Sequence, residues 1–303
     1  MFAFKKRRRL VLLGVGGTLF LALFTLWQST IKKNRQIPVG PFHIVGNLYY
    51  VGTTNVTSFL LTGPDGHVLI DGAYPETGPM IVESIAKLGY NITDVEVLLN
   101  SHAHPDHAGG LAFLQEASGA ELWISKGDAE LIERGGRGDR SFGPLRYLQF
   151  FGFGTFPAAR VDHRFEDGDT IRVGSIELTA HVTAGHTPGC TSWSFPIQDV
   201  DRELLAVSIC SLTLSPFMSL VEPETYPGIR TDFERSFTTL RSLPVDIFLA
   251  SHTSWFSMQR KLNARDNAEN PAEPFVDPNG YINFIDRAED QFIKELKKQQ
   301  EDR

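Results

Sequence analysis

Cysteine is scarce in this chain, and acidic residues are missing altogether from its first 35 positions. Two cysteines in 303 residues, Cys190 and Cys210, permit one disulfide at most. That excludes a disulfide scaffold, and a chain with 42% hydrophobic residues has the material for a core without staples. No repeat or low-complexity tract occurs, which excludes a solenoid. The acid-free stretch holds eight Lys and Arg; the remainder sets 21 basic against 36 acidic residues, a balance near −15. A domain this acidic is a poor nucleic-acid binder, so small molecules and metal cations are the expected partners.

The same stretch carries an address. "KKRRR" (Lys5–Arg9) precedes an uncharged run from Leu10 to Ile31. A basic region followed by an apolar one is the pattern of an export signal. Roughly 20 apolar residues also span a bilayer, and no good small-x-small cleavage site precedes Lys32. A cleaved signal peptide and an uncleaved membrane anchor both fit. Five positive charges lie before the run and three after it (Lys32, Lys33, Arg35). This bias places the large domain outside the cytoplasm, free in the periplasm or anchored in the inner membrane facing it. Residues 1–37 are read as this segment and 38–303 as one folded domain, expected to be a monomer.

Short β-branched and aromatic runs separated by turn residues ("HIVGNLYYVG", "VTSFLLT", "HVLIDG") predict consecutive strands. "ETGPMIVESIAKLGY" has helical spacing and stops at Gly89. "VEVLLN" and "ELWI" are strands, while "AGGLAFLQEASGA" and "KGDAELIER" are helices. Gly135 to Arg160 shows no period and reads as a long Gly- and Phe-rich loop, the kind that serves as a flap. "HRFEDGDTIRVGSIELTAHV" supplies further strands. "CTSWSFPI" and "RELLAVSIC" then form a hairpin about "QDVD" that sets Cys190 and Cys210 opposite each other, as a disulfide or as two buried thiols. "TDFERSFTTLRSL" is a helix, "VDIFLAS" a strand, and the chain closes on a helix with Ile282, Ile285, Ala288, Phe292 and Leu296 on one face. Strands, helix–strand alternation, strands, and helices again predict an α/β (α+β) domain of two face-to-face sheets with helices outside.

The chemistry concentrates in "NSHAHPDHAGG" (Asn100–Gly110). His102 and His104 are two residues apart, so an extended segment presents both on one side, and Asp106 continues the alternation. His107 joins only if the backbone turns, which Ala108, Gly109 and Gly110 permit. Imidazole nitrogen and carboxylate oxygen suit a borderline ion such as Zn²⁺. One loop can thus aim two imidazoles at one ion and a carboxylate with an imidazole at a second. Four ligands cannot close two ions, so others must come from elsewhere. His186 in "TAGHTPGCTSW" and His252 in "LASHTSW" stand at strand-to-loop junctions. A lone histidine there is more often structural; beside this cluster, both become candidate ligands. His43, His67, His163 and His181 read as surface or structural residues.

HxHxDH with the later "GHT-GCTSW" and strand-end "SH" resembles the metallo-β-lactamase superfamily over residues 40–303. The resemblance implies a four-layer αβ/βα sandwich and a site for two Zn²⁺ ions. Many superfamily hydrolases carry a bridging aspartate after a strand that here reads "LLAVSICSLTL", without a carboxylate. In that respect, and in "PFHIVGNLYYVGT", "YPGIRTDFERSF" and "DPNGYINFIDRAEDQF", the chain looks like subclass 3 of the class B β-lactamases. Carried over, His102, His104 and His186 hold one ion and Asp106, His107 and His252 the other. Asp71 orients a ligand, Ser211 and Thr213 hold the substrate carboxylate, and Asp106 acts at the reacting centre. A turn role for Asp71, a purely local role for Ser211 and Thr213, and a ligand role for Cys210 are the alternatives. The implied activity is β-lactam ring opening by metal-activated water, with the Phe-rich loop from Ser141 to Pro157 covering apolar substituents. The rivals are a lactone, thioester or phosphoester hydrolase of the same superfamily and a membrane-tethered zinc-binding module.

Overall fold

The computed structural model describes residues 37–302; the apolar run expected to be a signal or anchor lies outside them. Among the described residues no helix is long and apolar enough to cross a membrane. Seven strands form the first sheet in chain order: β1 (Phe42–Val45), β2 (Leu48–Tyr50), β3 (Phe59–Gly63), β4 (Gly66–Ile70), β5 (Val95–Leu99), β6 (Glu121–Ser125) and β7 (His163–Phe165). The first four pair antiparallel and β4 to β7 run parallel. The parallel half needs crossovers, supplied by α1 (Gly78–Lys87), α2 (Leu111–Ser118) and the short α3 (Ala129–Glu133). The second sheet has the order β12 (Ile247–Ala250), β11 (Arg202–Ile209), β10 (Thr191–Asp199), β9 (Ile176–Val182), β8 (Thr170–Val173). All its pairings are antiparallel except β11 with β12.

Strand alternation sorts the core into two apolar bodies. Phe59, Leu61, Val68, Ile70, Val97 and Leu99 point inward and meet Ile171, Leu178, Trp193, Phe195 and Ala206 of the second sheet. Leu60, Leu69 and Leu98 face the other way and pack with Ile81 and Ile85 of α1 and Leu111 and Leu114 of α2. On the far side of the second sheet lie α4 (Ile229–Ser242) and α6 (Pro278–Glu301), joined by Phe233, Phe237 and Phe292. The result is helices, sheet, sheet, helices, the four-layer αβ/βα sandwich expected from the resemblance. Of the four histidines read as surface or structural, His67 is buried, and none joins the histidine cluster.

Three expectations need correction. Ile282 is 40% exposed, and Tyr281 and Phe284 take its place beside Ile285, Ala288 and Phe292. Stepping back by threes from Ala288 carries position 282 about 120° around the helix, off the buried stripe. Within the Gly135–Arg160 stretch, Arg140–Phe151 forms consecutive 3-10 turns interrupted at Gly143 (φ 52°); their three-residue repeat leaves no amphipathic signature of the α type. Cys190 and Cys210 are not directly opposite. The β10–β11 ladder pairs Trp193 with Ser208, a register that, extended, aligns Cys190 with Ser211. The two sulfurs nonetheless bond, with the Cα atoms 5.9 Å apart, because both residues lie just past the strand ends, where the backbone leaves the pleat. Helix α5 (Met258–Arg265) was not foreseen.

Candidate metal centre

The ends of five strands deliver the site. Asp71 follows β4, His102 follows β5, His186 follows β9, Ser211 follows β11 and His252 follows β12. Between His104 and Ala108 the chain turns, with Ala108 N–H donating to His104 O at 2.8 Å. This brings His107 round to the side that Asp106 occupies. The turn packs so closely that a Cβ on Gly109 would stand 2.3 Å from Pro105 O and 2.4 Å from Pro75. Only glycine fits.

His102, His104 and His186 bring one ring nitrogen each within 4.8 Å of the others. The closest approach is His104 Nδ1 to His186 Nε2, at 3.0 Å. In the second group His107 Nε2 lies 3.3 Å from His252 Nε2 and 3.4 Å from Asp106 Oδ2, and His252 Nε2 lies 3.7 Å from the same oxygen. Ligands about 2.0–2.1 Å from a tetrahedral zinc stand roughly 3.3 Å apart along each edge, so this triad has the spacing of three corners. His102 is within reach of both groups: its ring centroid is 4.8 Å from those of His104 and His186 and 4.3 Å from that of His107. The donor set, five imidazoles and one carboxylate, suits zinc.

Each converging imidazole is held at its other nitrogen or ring face. His107 Nδ1 meets Asp71 Oδ2 at 3.1 Å. His102 Nδ1 meets Ser101 Oγ at 3.1 Å, and that hydroxyl donates to Asp71 Oδ2. His186 Nδ1 faces the carbonyl of Thr213 at 2.7 Å. His104 Nε2 lies 3.0 Å from Asp139 Oδ2 and 3.1 Å from Ser141 Oγ. His252 packs against Trp255, ring centroids 4.4 Å apart. Such outer partners select the tautomer and aim the ring. Asp71 itself is 2% exposed, has φ 66°, and accepts from Asn100 Nδ2 and the Ser101 N–H. It is no ordinary turn aspartate.

The electrostatics follow from burial and crowding. Burial, then the imidazoles of His107 and His186, push His102 well below the usual range. Burial and His104 take His186 down to about 3, and burial and His107 take His252 down to about 4. Burial also works against protonated His107, but Asp106 and Asp71 outweigh it and lift the ring to about 10. His104 is raised because Asp139 outweighs burial. Burial would raise Asp106, yet the His107 charge holds it well below the carboxylate range. Three neutral imidazoles and an ionised carboxylate are already in the form that binds metal.

Two acids escaped sequence reasoning. Asp128, fully buried, accepts from Ala103 N–H at 2.9 Å, Thr187 Oγ1 at 2.7 Å and Gly189 N–H at 2.8 Å. It therefore ties the loop of His102 and His104 to the loop of His186. Its signal was position, three residues past the end of β6. Asp139 sits in the aperiodic stretch and had no signal. Ser211 and Thr213 line the cleft with the histidines, with their hydroxyls 3.0 Å apart. Cys210 lines no metal group as a thiolate, because its sulfur is bonded to Cys190, 3.5 Å from His102 Nδ1.

Residues 51–202 match the Metallo-beta-lactamase superfamily. The chain belongs to that superfamily. Its fold is shared by native FEZ-1 metallo-beta-lactamase from Legionella gormanii, 38% identical with a TM-score of 0.82 over 88% of this chain and 98% of that one. BJP-1, a subclass B3 metallo-beta-lactamase of Bradyrhizobium japonicum, is 33% identical with a TM-score of 0.79 over 89% and 98%. A hydroxyacylglutathione hydrolase of Jannaschia sp. is 24% identical over 214 residues, 71% of this chain and 68% of the relative. The protein is thus a metal-dependent hydrolase by family.

Proposed function

We propose that the protein is a zinc-dependent β-lactam hydrolase that binds two ions and opens the cyclic amide C–N bond. One observation carries this reading: the segment leaving β11 between the two ligand groups offers no carboxylate. Cys210 there is bonded to Cys190, and the next residue is Ser211. The likeness to FEZ-1 and BJP-1 across nearly the whole domain supports it.

His102, His104 and His186 would hold one ion, and Asp106, His107 and His252 the other. Bound zinc supplies Lewis acidity at the carbonyl and a water acidic enough to attack at neutral pH. The side chains do the rest. Ser211 and Thr213 present hydroxyls from the cleft wall to a substrate carboxylate. Ser211 Oγ is hydrogen-bonded to Thr213 Oγ1 rather than to a base, so it is not set up as a nucleophile. Asp106 stays ionised, so it serves as ligand and acceptor, and the proton for the departing nitrogen comes from water in the cleft. Phe142 lines that cleft, and the exposed rings of the Arg140–Phe151 segment extend its apolar wall over the substrate's substituents.

The second reading is a thioester hydrolase, favoured by the hydroxyacylglutathione hydrolase relatives. The two are separated by assaying zinc-loaded protein against penicillins, cephalosporins, carbapenems, a glutathione thioester, a lactone and a phosphodiester, with and without chelator. Chelator-sensitive ring opening with little thioester cleavage is expected. A zinc-replete protein inert towards all three β-lactam classes would sink the proposal.

A further inference from the structure

Asp139 and Ser141 approach the ligand cluster from a segment that carries no ligand. His104 presents Nδ1 to the cluster, 3.0 Å from His186 Nε2. Its Nε2 points the other way, hydrogen-bonded to Ser141 Oγ at 3.1 Å and in close contact, at 3.0 Å, with Asp139 Oδ2, a buried oxygen that has no hydrogen-bond partner among the described residues. Both residues are buried, and Asp139 has no Lys or Arg partner among the described residues. Its second oxygen, Oδ1, accepts from Ser141 N–H at 2.8 Å and so starts the 3-10 turns of Arg140–Phe151. Beyond that base the segment is lightly held. Ser215 Oγ donates to Ser141 O and Gly138 N–H to Gln149 Oε1, but Phe150 is 86% and Phe151 81% exposed.

We propose that Asp139 is a positioning residue for the metal centre and that it couples metal occupancy to the placement of the aromatic segment Arg140–Phe151. The proposal rests on His104 being a metal ligand, not on the identity of the substrate. An imidazole that gives its Nδ1 lone pair to a metal must carry its proton on Nε2. The Ser141 hydroxyl bonded at Nε2, with the Asp139 carboxylate beside it, selects that tautomer and fixes the ring. The converse follows. Metal on Nδ1 pins the ring, which keeps an N–H donor under Asp139. Lifting the segment would break the Nε2 hydrogen bond to Ser141 Oγ and part the buried Asp139 carboxylate from the ring beside it, a costly change. Coupling of this kind is reciprocal: what holds the segment down tightens metal binding, and metal holds the segment down.

The test uses the full chain. Zinc affinity is measured by competition with a chromophoric chelator for wild type, Asp139→Ala and Asp139→Asn. Chymotryptic cleavage after Phe150 and Phe151 is followed in zinc-loaded and metal-free protein, with cleavage in α6 as the remote reference. Wild type should be cut several-fold more slowly at the two phenylalanines when loaded, relative to the reference. Asp139→Ala should bind zinc about 10–100-fold more weakly and, at saturating zinc, lose that protection. Asp139→Asn keeps an acceptor oxygen and should fall between the two; it carries the test alone if the alanine variant does not fold. Zinc affinity within about twofold of wild type, or undiminished zinc-dependent protection in the variants, would overturn the proposal. A wild-type protein that binds zinc and protects the segment yet opens no β-lactam would leave it standing while refuting the lactamase reading.

Discussion

Asp106 and Asp128 show how differently two acids can serve one site. Asp106 faces the cleft, shares Oδ2 between His107 and His252, and is kept ionised by the His107 charge. Asp106→Ala should leave the fold intact, since few groups depend on it, and, on the proposed two-ion reading, should lower zinc content from two ions to one. Hydrolysis should fall by more than the roughly 10–100-fold that follows loss of an outer partner; metal analysis beside the rate measurement checks both. Full activity with one ion would remove Asp106 from the reacting centre. Asp128 faces no substrate but satisfies three donors on two loops. Asp128→Ala orphans Ala103 N–H, Gly189 N–H and the Thr187 hydroxyl, and at about 1–3 kcal/mol for a buried unsatisfied group should lower stability by several kcal/mol. Denaturant unfolding of the metal-free protein reads this without interference from zinc.

The hairpin β10–β11 and the 3-10 segment each have a part to play around the site. The hairpin ends in Cys190–Cys210, so its disulfide sits against the loop of His102. Replacing both cysteines by serine should cost about 2–4 kcal/mol, the usual worth of a native bridge, measured by denaturant with reduced wild type for comparison. In the 3-10 segment the rings of Phe150 and Phe151 have almost no packing to lose. The double alanine variant should unfold within about 0.5 kcal/mol of wild type, yet show a raised KM for substrates with bulky apolar groups and an unchanged kcat. An unchanged KM across the panel would take these rings out of substrate binding.

Taken whole, the molecule is two sheets held face to face by an apolar interior, with the site at the rim where strands of both end. Neither sheet carries the full set of proposed ligands: Asp106 and His107 leave the first sheet, His186 and His252 the second. Metal bound across that rim as proposed would join the two halves in the folded state and would have nothing comparable to bind in the unfolded chain. At a free zinc concentration about 1,000 times Kd this contributes about 4 kcal/mol, a melting shift of roughly 10 °C for a domain of this size. Chelator should therefore lower Tm by that order, and added zinc should restore it; a Tm indifferent to chelator would place the metal outside this rim.

Much of this was legible in the residues alone. HxHxDH declares itself because its candidate ligands are neighbours in the chain, and the strands around it show a period of two that burial on one face imposes. His186 and His252 were identifiable because each ends a recognisable strand. Ile282 was misplaced because several nearly equivalent stripes can be drawn on a helix, and only the partner surface chooses among them. The same limit hid Asp128 and Asp139. Each acts on a ligand loop brought to it by strand pairing, Asp128 on Thr187 and Gly189 some 60 residues away. Local pattern determines which segments become strands and which residue types can bind a metal. Which nitrogen faces the metal, which carboxylate stands behind it, and whether two cysteines one register step apart can bond depend on contacts between segments distant in the chain, and those arise only when the sheets close.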